Sequence, residues 1–479
     1  MRNPGLPGGL PIQDYLLGYF RRNPASFHTP GHKGSPPALL DFSSNPLVLD
    51  VPDDVCGFPG AREESQAMAA YIYGTRRTYY LVNGSTAGVK AMFLACLCPG
   101  DKVLIGRNLH MSVVSALVET GVHPVFVPVA FDGEGIPLNV TPAAVEKAAS
   151  EHPDARALFV TSPSYFGVCA DLPALGEIAR RYGMFFLVDE AWGAHFPFGR
   201  SFPPSSLQAG ADMAVHGAHK TLPVLTGAAL LHVAPGRVDP ARVETALSMV
   251  ETSSPNVLFY LSLEAAISRM HREGASILHR AAQRAAGAAR AAGEMGCAFG
   301  AGLDGRGDFQ ADPLKVLLRT RPHVTGVSGY RAAAELTHGH GVVPEMADLS
   351  TVLFIFTGFE SEEDCDRLHT GLSGLSRLCK EAAGQEGRSS ASFPLPPGAP
   401  LTPRDAFFSR GEAVSLKTSP GRTARSAVVP YPPGIPVLLP GEEITRESVE
   451  YLERVMEKGG VVRGLQLSGD EPLMDAVAG

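Results

Sequence analysis

The chain is poor in several things, and each shortage narrows what it can be. It has one Trp in 479 residues and only 19% charged residues. No run of about 18 apolar residues occurs, so no membrane-spanning helix is expected. The first twenty residues, MRNPGLPGGLPIQDYLLGYF, lack the apolar stretch of a secretion signal. The seven cysteines are odd in number and scattered, which does not suit a disulfide framework. Basic residues are outnumbered, 41 to 49, giving a net charge of −8 and a pI near 6.0, so there is no electrostatic footprint for nucleic acid. Whole-chain disorder is excluded by the 44% hydrophobic content. These features together describe a soluble, cytoplasmic, globular protein of two to four domains.

From about Thr78 to Val233 the chain alternates apolar runs with helix-like segments. The expected strands are 101–106, 124–130, 156–162, 184–191, 211–217 and 227–233. Rich in Val, Leu, Phe and Ile and mostly without alternation, they suit strands buried on both faces. Helices are expected at Ser85–Leu97, Ser112–Thr120, Pro142–Ser150 and Leu172–Tyr182. This order implies an α/β domain with a mainly parallel sheet, whose ligands bind outside the carboxyl ends of the strands.

An Ala-rich helix is expected over Asn256–Met295. A smaller α/β pattern follows, with strands at 313–320 and 350–357 and helices near Tyr330–Thr337 and from Glu362 to about Cys379. Residues 381–403 are rich in Gly, Ser, Ala and Pro and read as a linker. The last segment, 404–479, has a turn-forming PYPPGIP (430–436) and a helix near Glu443–Lys458. The expected division is 1–295, 296–380, the linker 381–403, and 404–479.

Four places carry chemistry. VNGSTAGVKAM (82–92) puts Ser85 and Thr86 where a turn enters a helix. Free backbone N–H groups, the helix dipole and two hydroxyls suit a phosphate there, although Ser and Thr also serve as ordinary caps. LVDEAWGAH (187–195) puts Asp189 at the end of a very apolar strand, where a carboxylate can hold a proton on a cofactor nitrogen or bind a metal. VHGAHKTLPVLTGAAL (215–230) puts Lys220, with His219 beside it, between two apolar strands. A lysine near a desolvated pocket loses proton affinity and becomes a Schiff-base nucleophile. RNLHMS (107–112) puts His110 after the 101–106 strand, where an imidazole can stack on a flat cofactor. A phosphate cradle, a stacking ring, a carboxylate for a pyridine nitrogen and a Schiff-base lysine together describe a pyridoxal phosphate (PLP) site.

With those residues in order, the chain resembles the Orn/Lys/Arg decarboxylase family, in its short bacterial form without an N-terminal wing domain. FHTPGHKGS (27–35), NGSTAG (83–88), RNLHMS, SPSYFGVCADL (162–172), VDEAWGAHF (188–196) and AHKTLPVLTG (218–227) follow in the family's order. LTPRDAFF (401–408) and VVPYPPGIPVLLPGEEIT (428–445) resemble its C-terminal domain. The resemblance implies a fold type I PLP-dependent major domain, a smaller α/β domain and a C-terminal α+β domain. It also implies decarboxylation of arginine, lysine or ornithine, no metal, and a homodimer without the larger members' ring assemblies.

By position it implies that Lys220 bonds the cofactor, Asp189 pairs with its pyridine nitrogen, His110 stacks on its ring, and Ser85 and Thr86 hold its phosphate. Ala191 packs against the ring, His219 lies beside cofactor and substrate, and TSSPN (252–256) lies near the dimer interface. Lys220 or His219 would protonate the product carbanion. The chain departs from the family pattern at Gly217, where a Ser is common and where only a backbone N–H remains for the phosphate. It departs also at Trp192, Met111, Ser426 and residues 50–64. These departures keep two other readings open: transamination or aldol cleavage on the same fold, and a non-catalytic PLP-binding homologue.

Four other signals are read as structural. Gly300–Gly305 spells GxGxxG but no strand leads into it, so it is expected to be a loop. Cys96 and Cys98 are expected inside a helix, buried. His28 and His32 lie in a Pro/Gly loop, and His338 and His340 at a helix end.

Overall fold

The computed structural model describes residues 9–21, 60–294, 300–301, 307, 309–382, 393–394, 398–431, 434–469 and 471–479. The FHTPGHKGS motif with His28 and His32, residues 302–305 of the GxGxxG string, and most of the expected linker lie outside the described residues.

Two compact units emerge. The first holds β1 (Arg77–Leu81), α1 (Gly84–Cys96) and, later in the chain, the strand ends around Asp189 and Lys220. The second begins with β2 (Lys102–Gly106), α2 (Met111–Thr120), β3 (His123–Val127), β4 (Ala157–Thr161) and α3 (Leu172–Arg181). β5 (Phe185–Asp189) contributes Leu187–Asp189 to the first unit. That unit also holds β6 (Met213–His216), the one-turn helix α4 (Ala218–Thr221), β7 (Ala229–Val233) and the first half of the long helix α5 (Val257–Glu294).

In the first unit the strand order is β1–β7–β6–β5. β5 and β6 are parallel, whereas β7 runs antiparallel to both β6 and β1. Two reversals leave β1, β5 and β6 pointing the same way. In the second unit β4–β2–β3 is wholly parallel. The strands are almost completely buried because they are built of Val, Leu, Phe and Ala with no polar face. Helices cover them closely: a methyl added at Gly88 of α1 would lie 2.5 Å from the Val215 side chain.

Helix starts follow local chemistry. Thr141 and Asp171 cap the helices that open with Pro142 and Leu172, each with a Pro in the first turn. The expected strand 124–130 is in fact two, His123–Val127 and Val129–Phe131, parted at Pro128, which has no N–H for the ladder. β1, which the apolar-run criterion passes over, is Arg-Thr-Tyr-Tyr-Leu; its polar composition suits an antiparallel edge.

The second unit also holds a small antiparallel sheet and a C-terminal sheet. β8 (Lys315–Arg319) pairs with β9 (Thr351–Ile355), flanked by α6 (Gly329–His340) and α7 (Glu362–Ala382). Gly300–Ala301 is a short strand on β8 rather than a loop. After α8 (Pro403–Phe408), β10 (Gly411–Ser415) pairs with β12 (Glu471–Val477), which pairs with β11 (Leu465–Ser468). α9 (Arg446–Glu457) buries Val449 and Leu452 in a core with Leu416, Leu438, Ile444 and Met474.

Candidate functional site

The strand register gathers the expected site residues of the first unit at one edge. Leu81 pairs with Ala229, Leu230 with His216, and Val215 with Asp189. The carboxyl ends of β1, β6 and β5 therefore lie in one row. With interstrand gaps of about 4.8 Å, the row is roughly 14 Å from end to end. Three turns leave from it: β1 into α1, β5 into Ala191, and β6 into α4.

The first turn reverses at Gly84, whose φ of +75° is left-handed and suits a residue without a Cβ. α1 then starts with Ser85 and Thr86 half-buried, and no acidic side chain in its first turn competes for its free N–H groups. Glu251 accepts from the Val82 N–H at 3.0 Å, just before this turn. Burial raises its carboxyl above the usual range. The second turn holds Asp189, 4% exposed, with its Oδ1 accepting from the Ala191 N–H at 3.1 Å.

The third turn carries Lys220 on a single helical turn ended by Leu222 and Pro223. Its ammonium lies 4.4 Å from the centre of the Trp192 ring, within cation–π range. His219 is tied to the next strand twice: its N–H and its Nδ1 both meet the Ala228 carbonyl, at 3.1 and 3.0 Å. Nδ1 is therefore the protonated nitrogen and Nε2 keeps a lone pair. Burial, with the Lys220 charge beside it, holds the imidazole below its ordinary pKa.

Gly217 departs from expectation. Its N–H donates to the Ala191 carbonyl at 3.1 Å, so the amide expected to serve a phosphate is engaged. A Cβ here would meet that carbonyl oxygen at 2.9 Å and Lys220 Cδ at 3.2 Å. The missing side chain lets the backbones carrying Asp189 and Lys220 come together.

In the second unit, His110 is the N-cap of α2. Its Nδ1 accepts from the Ser112 N–H at 3.1 Å and lies 3.0 Å from the Ser112 hydroxyl. The cap fixes the ring while the residue stays exposed.

These donors fit PLP on the structure's own terms. A helix start without acidic competition takes a phosphate. Buried Asp189 could take a protonated ring nitrogen, and Lys220 could take an aldehyde. The approach at Gly217 is one that any side chain would fill.

Sequence reasoning missed the buried Glu190, His216 and His232 behind this edge, each 0% exposed. The available signal was a charged or imidazole side chain inside otherwise apolar strands, which burial allows only when it is partnered. Cys96 ends α1 half-buried, 3.7 Å from the Met213 sulfur, while Cys98 lies beyond the helix and is exposed, contrary to expectation. Among the described residues no group of His, Cys, Asp or Glu could hold a metal ion, and no helix is long and apolar enough to cross a membrane.

Comparison with known proteins places this geometry in a lineage. Residues 10–299 match the Orn/Lys/Arg decarboxylase major domain, and residues 388–466 the C-terminal domain of the same family. The chain is 34% identical over 467 residues to an arginine decarboxylase of Bacillus anthracis, covering 95% of this chain and 94% of the relative. It is 33% identical to an arginine decarboxylase of Bacillus subtilis, covering 95% of both. Lysine decarboxylase A from Pseudomonas aeruginosa shares the fold, with a TM-score of 0.84 at 22% identity over 98% of this chain and 80% of that one. The chain belongs to the Orn/Lys/Arg decarboxylase family, with the fold type I architecture of PLP-dependent enzymes.

Proposed function

We propose that this chain is a PLP-dependent decarboxylase of a basic amino acid, with arginine the favoured substrate. The observation that carries the reading is the register of Asp189 opposite Val215 on the parallel strand β6, which leads through Gly217 into the helical turn of Lys220, in the same row of strand ends as the helix start at Ser85 and Thr86. Support for arginine comes from the names of the relatives that match along nearly the whole chain.

PLP, when bound, supplies an electron sink for the pair released with CO2. Lys220 is the amine that would hold the cofactor's aldehyde carbon. Asp189 keeps the ring nitrogen protonated. Ser85, Thr86 and the first N–H groups of α1 bind the phosphate. Ala191 would pack against the ring, and His110 would stack on it by the place of its motif in the family. His219, neutral with a free Nε2, accepts protons rather than donating them at neutral pH. That leaves Lys220 as the donor that protonates the substrate carbon. The proposed assembly is a cytoplasmic homodimer with TSSPN (252–256) near its interface. The proposed domains are 1–295, 296–380 and 404–479, joined by a linker at 381–403.

The test is one assay of the purified chain with PLP and, separately, arginine, lysine and ornithine, scored for amine and CO2. Agmatine from arginine is the expected result, and Lys220→Ala should abolish it. Cadaverine or putrescine would reassign the substrate. Keto acid would make the protein a transaminase. Cofactor binding without turnover on any of the three would make it a non-catalytic homologue.

A further inference from the structure

Behind the strand ends that carry Asp189 and Lys220 runs a chain of buried polar groups with no part in the chemistry above. Ser206 donates twice to Glu190, from its N–H to Oε1 at 2.9 Å and from its hydroxyl to Oε2 at 2.6 Å. His216 Nε2 lies 2.8 Å from Glu190 Oε2, and His232 Nε2 lies 3.1 Å from His216 Nδ1. Thr78 Oγ1 is 2.8 Å from His232 Nδ1, and Thr75 Oγ1 is 2.9 Å from Thr78 Oγ1. The Tyr73 ring covers both imidazoles, at 4.5 Å from His232 and 5.5 Å from His216, and its hydroxyl donates to the Ala194 carbonyl.

Donor counting sets the direction of this chain. A carboxylate only accepts, so His216 donates from Nε2 to Glu190, and with one ring proton it accepts at Nδ1. His232 then donates from Nε2 and accepts at Nδ1 from Thr78, beside the Thr75 hydroxyl, which itself donates to the Ala70 carbonyl at 3.4 Å. In that arrangement each imidazole carries its proton on Nε2. Burial holds His232 well below its ordinary pKa, in accord with that state.

The chain sits where it can act on the site. Glu190 follows Asp189 directly, and its N–H donates to the Val215 carbonyl at 3.0 Å. Gly217 donates to Ala191. With the Glu190–His216 pair, these bonds join residues 189–191 to residues 215–217 at three points. Apolar packing would fill the same space at lower desolvation cost, but without directional bonds.

We propose that Glu190, His216, His232 and Thr78 form a positioning relay. It sets the separation between Asp189 and Lys220, so that one cofactor is met at its ring nitrogen and its aldehyde together. This rests on the roles proposed above for Asp189 and Lys220.

The full chain is titrated with PLP, following the visible absorption of the Lys220-bound cofactor, its pH midpoint and the dissociation constant. Histidine ring 15N shifts and the melting temperature are taken on the cofactor-free chain. Nε2–H tautomers are expected for His216 and His232. His216→Leu should weaken PLP binding by about 10-fold or more and shift the pH midpoint, the scale that small misplacements of reacting groups carry. His216→Gln, whose amide can still donate to Glu190, should restore both.

Wild-type affinity and midpoint in His216→Leu would overturn the proposal, as would a His216→Gln variant no better than His216→Leu. Should His216→Leu fail to fold, Glu190→Gln takes its place. It is expected to reverse the tautomers to Nδ1–H and weaken PLP binding, and unchanged tautomers with unchanged affinity would sink the relay. A wild-type chain that binds no PLP would refute the cofactor reading instead, while the tautomers remain readable.

Discussion

Arg107 and Glu442 form a buried two-point ion pair, Nε to Oε1 at 3.0 Å and Nη2 to Oε2 at 2.8 Å, with neither side chain more than 3% exposed. The other guanidinium N–H groups donate to the Pro436 and Val437 carbonyls, and Glu442 also accepts from the Leu439 N–H. At the far end of α2, Arg404 donates to the Val118 and Glu119 carbonyls. The C-terminal segment thus grips α2 just before its N-cap, His110, and again at its last turn. Glu442→Ala leaves a guanidinium buried without its counter-charge and should cost about 3–5 kcal/mol. Urea unfolding would read this as a lower midpoint at unchanged slope.

His110 caps α2, and its proposed stacking on the cofactor is separable from that duty. His110→Asn keeps a capping side chain and loses the ring, so thermal stability should hold while PLP affinity falls. His110→Phe keeps a ring and loses the cap, so stability should drop by about 1 kcal/mol. Melting and PLP titration on the two variants should give opposite patterns; matching patterns would refute the division.

Gly217 is a packing constraint. Gly217→Ala presses a methyl against the Ala191 carbonyl and the Lys220 stem. Overpacking of this kind costs about 1–3 kcal/mol. Gly217→Ser should pay the same cost, even though a hydroxyl is common there in the family. A gain in PLP affinity for Gly217→Ser, measured by titration, would show that the two backbones yield.

Stability should fall on acidification through the histidine range. Burial, with His216 beside it, keeps His232 neutral in the folded chain. An unfolded histidine protonates near pH 6.5. Below that pH the unfolded state binds more protons, so unfolding becomes easier as pH falls. From pH 7.5 to 5.5 this one residue should account for about 1.4 kcal/mol. His219, lowered by burial and by the Lys220 charge, acts in the same direction. Denaturation at the two pH values should show a smaller difference in His232→Gln than in the wild type.

The sequence alone determined the order of elements and the residues at the strand ends. Strands buried on both faces announce themselves as unbroken apolar runs; Asp189 stands out because it ends one, and Lys220 because it lies in the short turn between two of them. Family motifs then supplied chemistry that composition could not. Tertiary structure decided what depends on registers between distant segments. Which end of β1 faces which end of β6 is set by two antiparallel pairings through β7, one of them between Leu81 and Ala229, far apart along the chain. That the Gly217 amide serves Ala191, that His216 points its Nε2 at Glu190, and that Glu442 holds Arg107 from 335 residues away are facts of pairing, not of pattern. A buried polar group must find a partner, but only the fold decides which one.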